Sequence, residues 1–465
     1  MSDIFLQFEK VDPTTFAVLS SFLTISLFFK FNRFWSARNL DIVLMILLAP
    51  GLLLINQGRH DQALAAASYQ ASELPAGAEA EDQDSAEQER QREQAIAALP
   101  DYVTGQNQEF YGFLALWGVG ALLLVRMLLD ATMVRRPLLE PNLTAGGLVF
   151  LSICLFTLMA ANVIMAGQAY QQRVSSTPVA LSQLESVEMA ERHAPGFALL
   201  ETMPVIPVEF WLTGRGDAGS RQLNVDIRLV IAIVLAGHLL IVIGMVLTSA
   251  VHFHNFRMGI GAATLYLMLP YTFQMAGQAS HVIPGALLVW AIFLFRRPLL
   301  SGTLIGLSLC IYYPLFLVPL WVSYYWRRGL WRFISGLLIG WAVLAGLLLL
   351  ETANSVEFFV QLKRLFGIMW PRMEGIEGVW NVGWDPVYRL PILAAFVALC
   401  GTLVLWPTQK NMGTLLACTA AVMVATRFWH GQDPGLNMAW YLPLLLLTIM
   451  RPNLEDRIAL NMVSG

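Results

Sequence analysis

"RRPLLSGTLIGLSLCIYYPLFLVPLWVSYYWRRG" occupies residues 296–329. Arg296 and Arg297 open the stretch, Arg327 and Arg328 close it, and nothing between them is charged. One helix through it would put the two arginine pairs on opposite faces of a membrane. Two short helices folded back on each other would put both pairs on the same face. Pro314 argues for the fold-back, because proline removes a backbone donor and clashes with the carbonyl four residues earlier. The other loops argue the same way. Lys30, Arg33 and Arg38 crowd the first turn, "MVRR" (133–136) and "HFHNFR" (252–257) follow, and Lys410, Arg451 and Arg457 come later. Short basic loops mark the cytoplasmic side of a membrane protein. A single span at 298–326 would put the late basic loops on the wrong side. A hairpin of short broken helices meeting at "IYYP" (311–314) keeps them all together.

The rest of the chain has the composition that such a hairpin needs. It is 57% hydrophobic and 13% charged, with a mean hydropathy of +0.59, whereas soluble domains carry about 25% charged residues. Apolar runs recur at 14–31, 40–56, 109–130, 143–167, 227–250, 258–275, 281–295, 333–350, 387–406, 412–429 and 436–450. Each is continuous rather than alternating, which fits helices crossing roughly 30 Å of hydrocarbon and not barrel strands. The expected fold is an all-α polytopic membrane protein, a single transmembrane domain over 1–465. It should have about 11–13 transmembrane helices, the N-terminus outside and the C-terminus inside. Three long outer loops are expected, at 57–108, 168–226 and 351–388. The first contains an acidic, partly disordered stretch at 79–93 that lacks apolar residues.

A net charge of −3 gives no basic footprint for nucleic acid. Cys154, Cys310, Cys400 and Cys418 all fall in predicted spans with no CxxC pair, so they read as small core residues rather than a disulfide framework or a zinc site. Gly302 and Gly306, like Gly336 and Gly340, are four apart and let helix backbones approach closely. Inside the predicted spans, Arg126 reads as snorkelling to the nearby cytoplasmic surface. His238 lies deeper and reads as a neutral, hydrogen-bonded packing residue.

Residues 281–329, "HVIPGALLVWAIFLFRRPLLSGTLIGLSLCIYYPLFLVPLWVSYYWRRG", resemble the GT-C superfamily of integral-membrane glycosyltransferases, in its mannosyltransferase-like branch. The shared pattern is a small-residue helix, a basic turn, "PLLSGTLIGL", and an apolar hairpin that ends in a basic tryptophan-rich turn. The resemblance implies transfer of a sugar from a polyprenyl-phosphate donor to an acceptor on the outer face of the inner membrane of a prokaryote. Its partners would be the lipid-linked sugar and membrane lipid. Family members often carry a lysine just before the hairpin proline, where Tyr312 and Tyr313 stand here.

Sugar transfer from a lipid phosphate requires a carboxylate to take the acceptor's proton and cationic donors for the departing phosphate. Asp61, in "NQGRHDQALA" beside His60, is the expected catalytic base, at the edge of an outer loop. The loop "QLKRLFGIMWPRMEGIEGVWNVGWDPVYR" supplies candidate substrate ligands in Arg364, Arg372, Glu374, Glu377, Trp380, Trp384 and Asp385. Tryptophans at that depth also suit the interfacial belt of any membrane protein. His281 opens a span, and His430 and Asp433 lie in the last outer turn, "WHGQDPG". The topology brings these turns to one face, so His281, His430 and Asp433, together with His60, are further candidate substrate ligands expected to converge with Asp61. No cofactor is expected, because a divalent cation on His281, His430 and Asp433 would lack local ligand spacing. A non-catalytic structural subunit of a membrane assembly and a lipid or amphiphile transporter are the competing readings.

Overall fold

The computed structural model describes residues 11–73, 95–130, 132, 140–175, 227–351, 355–365, 379–382, 384–408, 410–430 and 436–452. Their regular structure is entirely helical. Helices α1 (Pro13–Phe28), α2 (Ala37–Ile46) and α3 (Leu48–Glu73) lead to α4 (Pro100–Asp130), α5 (Ala145–Ser175) and α6 (Ile227–Leu247). A π turn at Thr248–His252 ends α6, and α7 (Phe256–Met268), α8 (Pro270–Gln274) and α9 (Ala279–Phe293) follow. The hairpin contains α10 (Pro298–Ser308) and α11 (Val318–Tyr325). Beyond it come α12 (Leu330–Glu351), α13 (Ser355–Leu365), α14 (Val379–Val382), α15 (Arg389–Leu405), α16 (Met412–Thr426) and α17 (Leu442–Met450).

Among the described residues, 6 helical stretches are long and apolar enough to cross a membrane: Ala37–Tyr69, Pro100–Asp130, Ala145–Met165, Ile231–His252, Leu330–Leu349 and Pro386–Leu405. Four shorter apolar helices accompany them, at Pro13–Phe28, Ala279–Phe293, Pro298–Ile311 and Met412–Thr426. The chain is an all-α, multi-pass membrane protein. Exposed apolar side chains such as Phe22, Phe150, Ile153 and Leu405 cover the outside of these helices, as lipid contact demands. Among the described residues, fewer full-length spans occur than the apolar runs suggest, because several of the helices are only 9–16 residues long and one run is split by a proline. The run 258–275 breaks between α7 and α8 at Pro270, where Leu269 is extended.

The fold-back at 298–326 is present. Gly302 and Gly306 of α10 face the backbone of α12 so closely that a Cβ on either would strike the carbonyls of Phe333 and Leu337. Gly336 and Gly340 return the contact against the carbonyls of Leu299 and Thr303. The pairing advances in the same direction along both helices, so α10 and α12 run parallel and their N-terminal ends lie together. Gly329, at φ 101°, rests against Pro298. Tyr325 donates from its hydroxyl to the Phe295 carbonyl at 2.6 Å. Both arginine turns therefore sit at one end of the bundle. The reversal itself runs through 3₁₀ turns at Leu309–Ile311 and Tyr313–Leu317, joined by Tyr312 at φ 47°. A non-glycine residue held there costs of order 1–3 kcal/mol, and packing around the tip must hold it.

The other predicted inner turns meet at that same end. Lys30 donates to Asn142 at 2.8 Å, Arg38 to the Glu140 carbonyl at 2.6 Å, and Arg257 to the Pro141 carbonyl at 2.9 Å. His252 contacts the Phe293 carbonyl at 2.7 Å, and Arg328 donates to the Lys410 carbonyl at 3.3 Å. Lys410 turns inward onto the Val404 and Pro407 carbonyls, and its burial lowers its pKa from the usual lysine value.

Arg126 departs from the sequence expectation. It does not snorkel but forms a forked pair with Asp41, at 2.7 and 3.0 Å, and also reaches Asp130. A buried carboxylate within reach makes pairing better than stretching to the surface. His238 is buried and shared between the Tyr266 hydroxyl at 3.0 Å and the Ala276 carbonyl at 3.1 Å, a packing role. The cysteines are free; Cys310, Cys400 and Cys418 are buried and Cys154 faces outward. In the loops, α3 and α4 continue far beyond residues 57 and 108 as helix, whereas 79–93 and most of 168–226 lie outside the described residues.

Candidate functional site

Short helices position the candidate site. From the basic end, α9 and α16 have 15 residues each, α10 has 11 and α17 has 9. At 1.5 Å per residue these climb only about 14–22 Å, short of the roughly 30 Å of a bilayer's hydrocarbon. Their far ends are the hairpin tip, the turn Arg427–His430, Tyr441 and the start of α9, and these meet one another part-way through the bundle. Irregular backbone survives at such depth only where protein buries it or it lines a cavity.

Two histidine–tyrosine pairs lie at this level. His430 shares a hydrogen bond through Nδ1 with the hydroxyl of Tyr313, the second residue of the hairpin tip. The His281 Nδ1 lies 3.0 Å from the Tyr271 hydroxyl, which also accepts from the Ala439 amide at 3.1 Å. That amide occupies a lone pair of the phenol and turns its proton toward His281. Trp440 stands between the pairs. Its indole N–H donates to the Ser280 carbonyl at 3.1 Å, and its ring lies 5.4 Å from Tyr313 and 6.2 Å from His430. On the other side, Arg389 clamps the Trp429 carbonyl with Nε at 3.1 Å and Nη2 at 2.9 Å. The Trp429 ring packs against Tyr313, Phe316 and Phe396. His281, His430, Arg389 and Trp440 are all buried. Among the described residues, no group of three His, Cys, Asp or Glu side chains comes together.

Asp385 and Trp384 lie just outside this cluster. The Asp385 carboxylate is exposed and accepts from the Val387 amide at 2.9 Å, capping the turn that leads into Arg389. Trp384 is exposed and its ring lies 5.9 Å from Trp117 of α4 and 6.0 Å from Trp380. Trp380 is buried at 2% exposure, a packing position rather than a place in an interfacial belt.

Asp61 stands elsewhere. Its carboxylate accepts from Gln57 at 2.8 Å, in a polar band where Arg59 and Gln62 both reach Glu109. His60 beside it is exposed. Glycines set the height of this band: Gly58 packs on Gly105, and Gly51 packs on Gly112 and Leu116. Trp117 is twelve residues beyond Gly105 on α4, about 18 Å along the axis. The described contacts bring His281, His430, Trp384 and Asp385 towards one level and leave Asp61 and His60 at another. Arg364 belongs to α13 with its side chain outside the described residues, and Arg372, Glu374, Glu377 and Asp433 also lie outside them. Tyr271, Arg389, Trp429 and Trp440 carry no role in the sequence reading, and Tyr313 enters it only as standing where the GT-C pattern has a lysine.

No protein-family model matches this chain, and neither a curated protein nor a solved structure shows detectable similarity to it.

Proposed function

We propose that the protein is a membrane-embedded glycosyltransferase that moves a sugar from a polyprenyl-phosphate donor to an acceptor. It would sit in the inner membrane of a prokaryote, with the basic end in the cytoplasm and the site open to the outer side. The observation that carries this reading is the Tyr313–His430 pair at the hairpin tip, with Arg389 beside it on the Trp429 carbonyl. A phenol in contact with an imidazole can take a proton from an acceptor hydroxyl and pass its own to Nδ1. A guanidinium in a water-poor site stabilises a departing phosphate. Aromatic faces around both suit the apolar sides of a sugar.

The test is incubation of the purified, full-length protein with a panel of polyprenyl-phosphate sugars, followed by mass spectrometry for released polyprenyl phosphate. Release with one donor, lost in His430→Gln, supports transfer. A monodisperse protein that releases none across the panel overturns it.

One observation favours a second reading, transport of a lipid or amphiphile. Broken helices whose ends meet near the midplane are the usual site of transporters, and α9, α10, α16 and α17 end in that manner. Movement of a labelled amphiphile across reconstituted vesicles, without cleavage, would select transport over transfer.

A further inference from the structure

Among the described residues, Arg427 differs from the other buried and half-buried arginines. Arg126 and Arg451 meet aspartates, and Arg38, Arg257 and Arg389 meet backbone carbonyls. Arg427 is 4% exposed, and its one hydrogen bond runs from Nη1 to the Tyr441 hydroxyl at 2.9 Å. Among the described residues, its buried Nη2 has no acceptor and no carboxylate pairs with it. The guanidinium also lies over the Tyr441 ring, 5.8 Å from the centroid. It rests on Gly120 of α4, where a Cβ would come within 2.8 Å of Nη1, so glycine is what admits it.

Gly120 is ten residues from Asp130, which places the cation about 15 Å from the basic end, near the middle of a bilayer. A charge with no carboxylate partner among the described residues is expensive at that depth and marks a functional position by default. Two further buried donors near it along the chain and along α4 have no acceptor among the described residues. The indole N–H of Trp117, one helical turn from Gly120, has no acceptor, and neither has that of Trp429, two residues after Arg427. Trp117 packs on Phe428 at 5.0 Å and on the exposed Trp384 at 5.9 Å, so the cluster continues outward to an accessible ring.

We infer that Arg427, with the indole donors of Trp117 and Trp429, forms an oxyanion site at mid-membrane depth, taking a phosphate or carboxylate group carried by an amphiphile. A cation, N–H donors without acceptors and apolar walls are what such a headgroup lacks in hydrocarbon. The inference does not depend on sugar transfer; a transporter would use the same site.

The experiment measures thermal unfolding of the purified, full-length protein in mixed micelles containing phosphatidic acid, phosphatidylcholine or, separately, inorganic phosphate. Phosphatidic acid should raise the midpoint in a saturable way and phosphatidylcholine should not. Arg427→Gln should weaken the phosphatidic acid response roughly ten- to hundredfold in concentration, the worth of hydrogen bonds to a charged group. Arg328→Gln, at an exposed arginine, should leave it unchanged. An Arg427-dependent response to inorganic phosphate at equal concentrations would support the site with a soluble anion as its source. Equal responses to the two lipids with none to phosphate, or a full response in Arg427→Gln, would overturn it. Where Arg427→Gln does not purify as a monodisperse species, Arg427→Lys keeps the charge and loses the fork. Its affinity should fall about tenfold, and an unchanged affinity overturns the site.

Discussion

Arg451, just past the last described helix, sets Nη2 2.6 Å from Oδ2 of Asp130, a carboxylate with no exposed surface. Asp130 also meets Arg126, which in turn forks onto Asp41, so two aspartates and two arginines tie α2, α4 and the end of α17 together. Charges this deep hold a structure only as a set, because removing one member strands another.

Asp130→Asn should therefore lower stability by about 3 kcal/mol, read as a drop in the thermal unfolding midpoint in detergent. The double variant Asp130→Asn with Arg451→Met should recover part of that loss, since it removes the stranded cation as well. Additive losses would show that the two side chains do not act as a pair.

The hairpin's seam should be as sensitive to a single methyl-bearing side chain as the geometry suggests. A Cβ on Gly306 would strike the Leu337 carbonyl and the Gly340 backbone, whereas one on Gly346 meets nothing within 4 Å. Gly306→Val should cost about 1–3 kcal/mol or more by overpacking, and Gly346→Val, on the partner helix α12 but beyond the seam, should cost almost nothing. Equal thermal midpoints for the two variants would contradict the seam.

Transfer activity should follow the level of the residues in the bundle. His430→Gln should slow turnover by at least about a hundredfold, the usual contribution of a positioned proton acceptor. Asp61→Asn changes a carboxylate held by Gln57 alone among the described contacts, and its turnover should stay within about threefold of wild type. A large loss in Asp61→Asn with a mild one in His430→Gln would move the chemistry to the α3–α4 band.

Much of this architecture could be read in the chain, and the parts that could not share a physical cause. Pro314 and the flanking arginines revealed the fold-back because a broken helix and the sidedness of charge are local properties. The apolar runs located the helices for the same reason, but not their ends: α3 and α4 extend well past theirs, and the run 258–275 is split at Pro270. Arg126 was misread because its partner Asp41 lies 85 residues earlier, and pairing across helices leaves no local trace. Arg427 stood in plain view inside the run 412–429. Its importance rests on Gly120 and Tyr441, which arrive from α4 and the last turn. Asp61 looked like the edge of a loop because polar residues begin at Asn56. The helix continues to Glu73, and that continuation sets Asp61 away from the level of Trp384.

The sidedness of Arg297 and Arg327 tests the fold most directly. Each is replaced by cysteine, separately, in a chain whose four native cysteines are changed to serine or alanine, and an impermeant thiol reagent is applied to sealed, oriented vesicles. The hairpin requires both positions to label from the same side, the one that also labels a cysteine at Lys30. Labelling of Arg297→Cys and Arg327→Cys from opposite sides would mean that 298–326 crosses the membrane once, and it would invert α12 and everything after it.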